Sequence, residues 1–198
     1  MMIGLLIAAT ATGEVTAPKV SKPDDKVFYI YTEQGSRLNH FIPSGYMGDY
    51  GDIKMSLGWK DNPGKGTTCT RVIYSGERKQ EAGWAGVFYQ YPVNNWGDKK
   101  QGYDLSSYKR LRFMARGDKG GEYIDKFQIG GIKGGTEEGD TTESYTDAIE
   151  LTADWKEYEI DLKGEDLSHI IGGFCFVLNV DSNQKGATFF LDEIRLEK

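Results

Sequence analysis

Two short stretches of this chain gather side chains suited to recognition. In NHFIPSGYMGDYGDIKM, glycines and a proline interrupt any regular repeat around Tyr46, Asp49, Tyr50 and Asp52. In GWAGVFYQYPVNNWG, strand alternation sends Trp84, Gly86, Phe88 and Gln90 to one face and Ala85, Val87, Tyr89 and Tyr91 to the other. Asn94, Asn95 and Trp96 follow in a polar turn. Rings beside amides and carboxylates suit a ligand with apolar C–H patches bounded by hydroxyl groups, which is the chemistry of a sugar. Tyr46, Asp49, Tyr50, Trp84, Tyr89, Gln90, Tyr91, Asn95 and Trp96 are therefore the candidate binding residues. The first stretch reads equally well as a self-packed Ω-loop with its tyrosines as staples. For any single ring, burial in a core is the commoner fate. Trp96, in its polar turn, is the best exposed candidate, whereas Trp59 and Trp155 suit structural roles.

Catalytic chemistry finds less support. The two histidines, His40 and His169, are far apart, no Ser or Cys stands in a nucleophile elbow, and no HExxH is present. A glycosidase needs two facing carboxylates, and Asp49 with Asp52 or Glu122 could supply them, but a chain with 30 acidic residues offers many such pairs. GGIKGG lacks the Lys-Ser/Thr and helix of a phosphate loop. The net charge of -6, with cations scattered, provides no basic stripe for nucleic acid. It also favours a neutral over a polyanionic glycan.

These residues must be positioned by strands. Candidate strands recur from VFYIYT through IKMSLGW, TCTRVIYS, WAGVFYQY, KRLRFMARG, EYIDKFQIGGI, DAIELT, KEYEIDL and IIGGFCFVLN to ATFFLDEIRLE. About ten short strands separated by Gly, Asn, Asp and Pro mark a sandwich or barrel, and 198 residues suit one all-β domain. In KRLRFMARG, Leu111, Phe113 and Ala115 face opposite to Arg112, Met114 and Arg116. In the last strand, simple alternation puts Asp192 on the same side as Phe190, Ile194 and Leu196, where a carboxylate must be paired, bind a metal or lie at an edge. Residues 130–144 read as a solvated polar loop anchored only by Ile132.

Residues 1–12 resemble a secretory signal peptide without its basic start, and residues 13–25 read as a Pro-containing linker, so the domain is expected over 26–198. No later run is long and apolar enough for a membrane span. Cys69 and Cys175 sit in apparent strands, either as buried free thiols or as one disulfide.

GYDLSSYKRLRFMARGDKGGEYIDKFQIGG, LTADWKEYEIDLKGEDLSHIIGGFCFVLN and TFFLDEIRLE together resemble the extracellular bacterial carbohydrate-binding modules of the galactose-binding-like jelly-roll type. The likeness is close over residues 102–198 and looser over 27–96. It implies an all-β, single-domain jelly-roll β-sandwich, secreted, periplasmic or at the cell surface, that binds a polysaccharide or oligosaccharide without catalysis. It also implies a structural calcium held by a carboxylate after the first strand and another on the last, which here are Glu33 and Asp192. A monomer and a neutral glycan partner are expected. The rival readings are a small glycan-active hydrolase or lyase, and a surface domain that contacts other proteins through a flat apolar patch.

Overall fold

A computed structural model describes residues 26–133 and 138–198, and the expected leader and linker lie outside the described residues. Two antiparallel sheets face each other. One has six strands: β1 (Val27–Tyr31), β3 (Ile53–Trp59), β4 (Cys69–Tyr74), β6 (Arg110–Gly117), β11 (Lys156–Asp161) and β13 (Ala187–Glu197). Their order is β11-β6-β13-β4-β3, with β1 paired to the second half of β13 where β4 leaves it. The other has five, ordered β2-β5-β12-β8-β9: β2 (Ile42–Gly48), β5 (Trp84–Gln90), β12 (Gly172–Asn179), β8 (Lys126–Gly130) and β9 (Glu143–Tyr145). A two-residue ladder joins β7 (Tyr123–Ile124) to β10 (Ile149–Glu150), and a single 3-10 turn spans Tyr50–Asp52. Among the described residues no helix is long and apolar enough to cross a membrane.

The core lies between the sheets, where period-two alternation directs it. Leu111, Phe113 and Ala115 of β6 are fully buried and meet Phe174, Phe176 and Leu178 of β12 in one cluster. Phe113, Phe127 and Phe174 pack with ring centroids 4.6 to 5.7 Å apart, across the two sheets. Truncating a ring so enclosed costs about 3–5 kcal/mol.

The structure departs from simple alternation on β13. A bulge falls between Asp192 and Arg195, and Glu193 adopts φ 50. The extra residue shifts the phase. Phe189 and Leu191 point into the core before it, and Ile194 and Leu196 after it. Asp192 therefore shares its face with Phe190 and not with Ile194 or Leu196. It lies on the outside of the six-stranded sheet, opposite Met114 and beneath the 60–68 loop.

β2 and β9 occupy segments expected to be loops. Pro43 and a register shift between Pro43 and Gly45 break the alternation of β2, which is tolerable because β2 is an edge strand. β9 is the opposite edge, and its residues Glu143, Ser144 and Tyr145 carry no apolar signal. Asp140, before β9, accepts N–H groups from Ile132, Ile171 and Gly172. Cys69 and Cys175 are free and buried, one in each sheet, which removes the disulfide alternative.

Candidate functional site: a cleft across the five-stranded sheet

The outer face of the five-stranded sheet carries a small apolar floor separate from the main core: Phe88, Ile132, Ile171 and Cys175, with Met47 and Val177 against them. Register builds it row by row. Met47, Gly86, Val177 and Lys126 are neighbours across β2, β5, β12 and β8. The next row is Gly45, Phe88, Cys175, Gln128 and Tyr145, reaching from β2 to β9. At the usual strand spacing that row is roughly 19 Å long.

A cleft of about 350 Å³ lies on this floor, lined by Met47, Trp84, Phe88, Lys126, Gln128, Gly131, Glu143 and Val177. Trp84 is 39% exposed at one side. Gly86 leaves the floor without a side chain between Trp84 and Phe88. Trp96, 40% exposed, stands edge-on to Phe88 with centroids 6.2 Å apart. At the β9 edge Tyr145 is 59% exposed, and the Lys126 ammonium lies 5.1 Å from its ring centroid. Lys126 also pairs with Glu143 at 3.3 Å, so the two charges in the cleft balance each other. Beyond Trp84, Asn179 donates to Asp125 at 2.6 Å. Desolvation raises the Asp125 carboxyl above its ordinary range, and the Asn179 bond opposes this only in part. A larger groove of about 790 Å³ runs between the turns at 118–122 and 181–188. Its only ring, Tyr74, is itself buried, so the smaller aromatic cleft is the better recognition surface.

The candidate residues divide sharply. Trp84 lines the cleft and Trp96 borders it. Gln90 faces the same side but is 1% exposed; it accepts the Ser44 hydroxyl and donates to the Asn95 carbonyl. Asn95 is fully buried within its own loop. Tyr89 is fully buried on the core side, packed edge-on to Tyr31 and Phe174, and offers no ring face to a ligand. Tyr91 is half-buried against Phe41 and Tyr103. Tyr46 and Tyr50 are exposed but away from the cleft: Tyr46 pairs with core-facing Val87 at the sheet edge, and Tyr50 sits in the 3-10 turn.

Asp49 is also fully buried, because its carboxylate accepts N–H groups from Gln80, Ala82 and Gly83. Desolvation alone would raise its pKa, but these three bonds and the Arg78 charge outweigh it and hold the carboxyl below its ordinary range. Asp52 accepts from Ser75 and Arg78, and Glu122 from Asp118 and Lys119. The carboxylates that a hydrolytic pair would need are thus turn staples.

Alignment of this chain with known proteins agrees with the geometry. The family described as carbohydrate binding domain 30 matches residues 54–198. This chain belongs to that family. It is a non-catalytic carbohydrate-binding module. A solved family 30 carbohydrate-binding module superposes with a TM-score of 0.61 at 16% identity, covering 88% of each chain. The family 30 module of a cellulosomal cellulase from Clostridium thermocellum superposes at 0.59 with 15% identity, covering 87% of this chain and 97% of that one. A family 11 module from Clostridium thermocellum, solved with a β-1,3-1,4-mixed-linked tetrasaccharide, superposes at 0.56 with 19% identity, over 87% of this chain and 95% of that one. Among curated proteins none matches.

Phe88 follows from the same alternation as Trp84, whereas Met47, Lys126, Gln128, Glu143 and Tyr145 line or edge the cleft without being among the residues the sequence singles out. The alternation of KFQIG, which sends Lys126 and Gln128 away from Phe127 and Ile129, was the available signal for two of them.

Glu33 and Asp192, the expected calcium ligands, both engage the segment 64–67. Asp192 accepts the Lys65 N–H at 2.9 Å and the Glu193 N–H at 2.8 Å. Glu33 accepts the Thr67 N–H at 3.1 Å and its hydroxyl at 2.7 Å. Calcium requires six to eight oxygen ligands. Here the two carboxylates accept the N–H groups of Lys65, Thr67 and Glu193 and the Thr67 hydroxyl. This donor set does not fit a calcium ion; it fits a clasp that holds the loop directly.

Proposed function

We propose that this module binds an internal stretch of a neutral, β-linked glucan lying across the five strands of the cleft sheet. The observation that carries the reading is the cross-strand floor bounded by exposed Trp84, Trp96 and Tyr145. Flat rings stack on the C–H faces of pyranose units, and Gln128, Lys126 and Glu143 present donors and acceptors to their hydroxyls. The internal pairing of Lys126 with Glu143 leaves no net charge to attract an acidic sugar. The mixed-linked oligosaccharide held by the family 11 module supports a β-glucan as the ligand class. The sugar is met outside the cytoplasm, by a single copy of the chain.

Affinity electrophoresis over a glycan panel tests this. Mixed-linkage β-glucan should retard the wild type, and Trp84→Ala should abolish the retardation. Retardation only by polyanionic glycans, or by none, refutes the proposal.

A further inference from the structure

Asn95 has no exposed surface and lies beside Trp96, one of the exposed rings at the border of the cleft. Its side chain makes five hydrogen bonds, all to the backbone of its own loop. The two hydrogens of the amide nitrogen are shared among the carbonyls of Tyr91, Lys99 and Gln101, 3.1 to 3.3 Å away. The amide oxygen accepts from the N–H groups of Gly97 and Lys99 at 3.0 and 3.3 Å. Only a carboxamide supplies donors and an acceptor from one short side chain.

This knot is tied to the sheet by a second relay. Gln90, on the cleft face of β5, donates to the Asn95 carbonyl at 2.8 Å. Ser44 of β2 donates to the Gln90 side-chain oxygen at 2.8 Å and accepts the Asn94 N–H at 3.1 Å. The residue fixed between these bonds and the Gly97 turn is Trp96. Its backbone N–H is itself bonded to Asp98, and its indole meets Phe88 at 90°.

We infer that Asn95, with Gln90 behind it, is a positioning residue that sets Trp96 over the Phe88 end of the cleft and never touches the sugar itself. The inference rests on the reading of the cleft as the glycan site. A loop left to find its own conformation would have to order Trp96 on binding, and that ordering cost would weaken affinity. Removing the Asn95 side chain should therefore act on binding entirely through Trp96.

A double-mutant cycle on mixed-linkage β-glucan tests this. Asn95→Ala and Trp96→Ala should each weaken binding by about 10-fold or more, the loss expected of one aromatic anchor. The double variant should lose no more than Trp96→Ala alone. Should Asn95→Ala not fold, Gln90→Met cuts the relay at its other end; its loss should be smaller and should vanish in the Trp96→Ala background. Losses that multiply, or a variant with wild-type affinity, overturn the inference. If the wild type binds no glycan, the reading of the cleft fails, but placement can still be measured. The acrylamide quenching of Trp96, taken as the difference between each protein and its Trp96→Phe counterpart, should rise in Asn95→Ala. Unchanged quenching overturns the positioning role.

Discussion

The backbone N–H of Lys65 and the carboxylate of Asp192, 127 residues apart in the chain, meet at 2.9 Å on the outside of the six-stranded sheet. The contact closes the 60–68 loop over a stack in which the Arg71 guanidinium lies 4.5 Å from the Trp59 ring, and Arg116 lies 3.7 Å from Phe190. The Trp155 indole N–H donates to the Asn62 carbonyl at 3.0 Å from the far side of the same loop.

Because Glu33 and Asp192 already accept N–H and hydroxyl groups of residues 65, 67 and 193, the melting temperature should be the same in EDTA and in millimolar calcium. Differential scanning calorimetry in the two buffers checks this. A rise of several degrees with calcium would show that the loop turns its carbonyls inward to hold the ion, and the clasp would be wrong.

Asp192 also sets a pH dependence. Desolvation raises its pKa from 3.8 to about 6, although the Lys65 and Glu193 amides pull the other way. The folded state then holds a proton that the unfolded state has lost between pH 4 and 6, so this group's contribution falls as pH rises through that window. A shift of that size corresponds to at most about 3 kcal/mol. Relative to Asp192→Asn, the wild type should lose stability to urea between pH 4 and pH 6. A flat difference between the two proteins would show that the amide bonds cancel the desolvation and that Asp192 sets no pH dependence.

Gly48 has φ +61, and a Cβ there would lie 2.2 Å from the Trp84 carbonyl oxygen and 3.0 Å from its ring. Gly48→Ala should lower the melting temperature and weaken glycan binding together, because Trp84 must move. Gly164, with φ +89 and nothing within 4 Å, supplies the comparison. Gly164→Ala should cost about 1–2 kcal/mol of backbone strain and leave the affinity unchanged. Equal affinity in the two variants would show that Gly48 does not govern the Trp84 ring.

Tyr145 and Tyr89 should behave oppositely. Tyr145, on an edge strand, should lose about 10-fold in affinity on change to Ala with almost no loss of stability, the pattern of an exposed contact residue. Tyr89→Ala should lower stability by about 3–5 kcal/mol, as for a buried aromatic. Tyr89→Phe should bind as the wild type does. Isothermal titration beside chemical denaturation separates the two roles; a binding defect in a stable Tyr89→Phe protein would return Tyr89 to the site.

Much of the sandwich was legible because alternation is local. The opposed faces of Leu111–Ala115 and of Trp84–Gln90 follow from the pleat, and both stand as read. β2 and β9 were not legible, because edge strands take their hydrogen bonds from a neighbour and need neither an unbroken apolar pattern nor freedom from Pro43. The bulge at Glu193 reversed the side on which Asp192 lies relative to Ile194 and Leu196, and nothing in LDEIRLE announces one inserted residue.

The sequence alone determined that this chain is built of short alternating strands, as a sandwich or barrel, with rings and amides suited to sugar, since periodicity and residue chemistry are properties of short segments; the choice of sandwich came from the family resemblance. Which rings reach solvent was decided by the tertiary structure. Trp84 and Tyr89 stand on opposite faces of one strand, and only the packing of the second sheet covers Tyr89 and leaves Trp84 open. Asn95 carries an amide as fit for a hydroxyl as any, but loop closure gave all its bonds to backbone groups of residues 91–101.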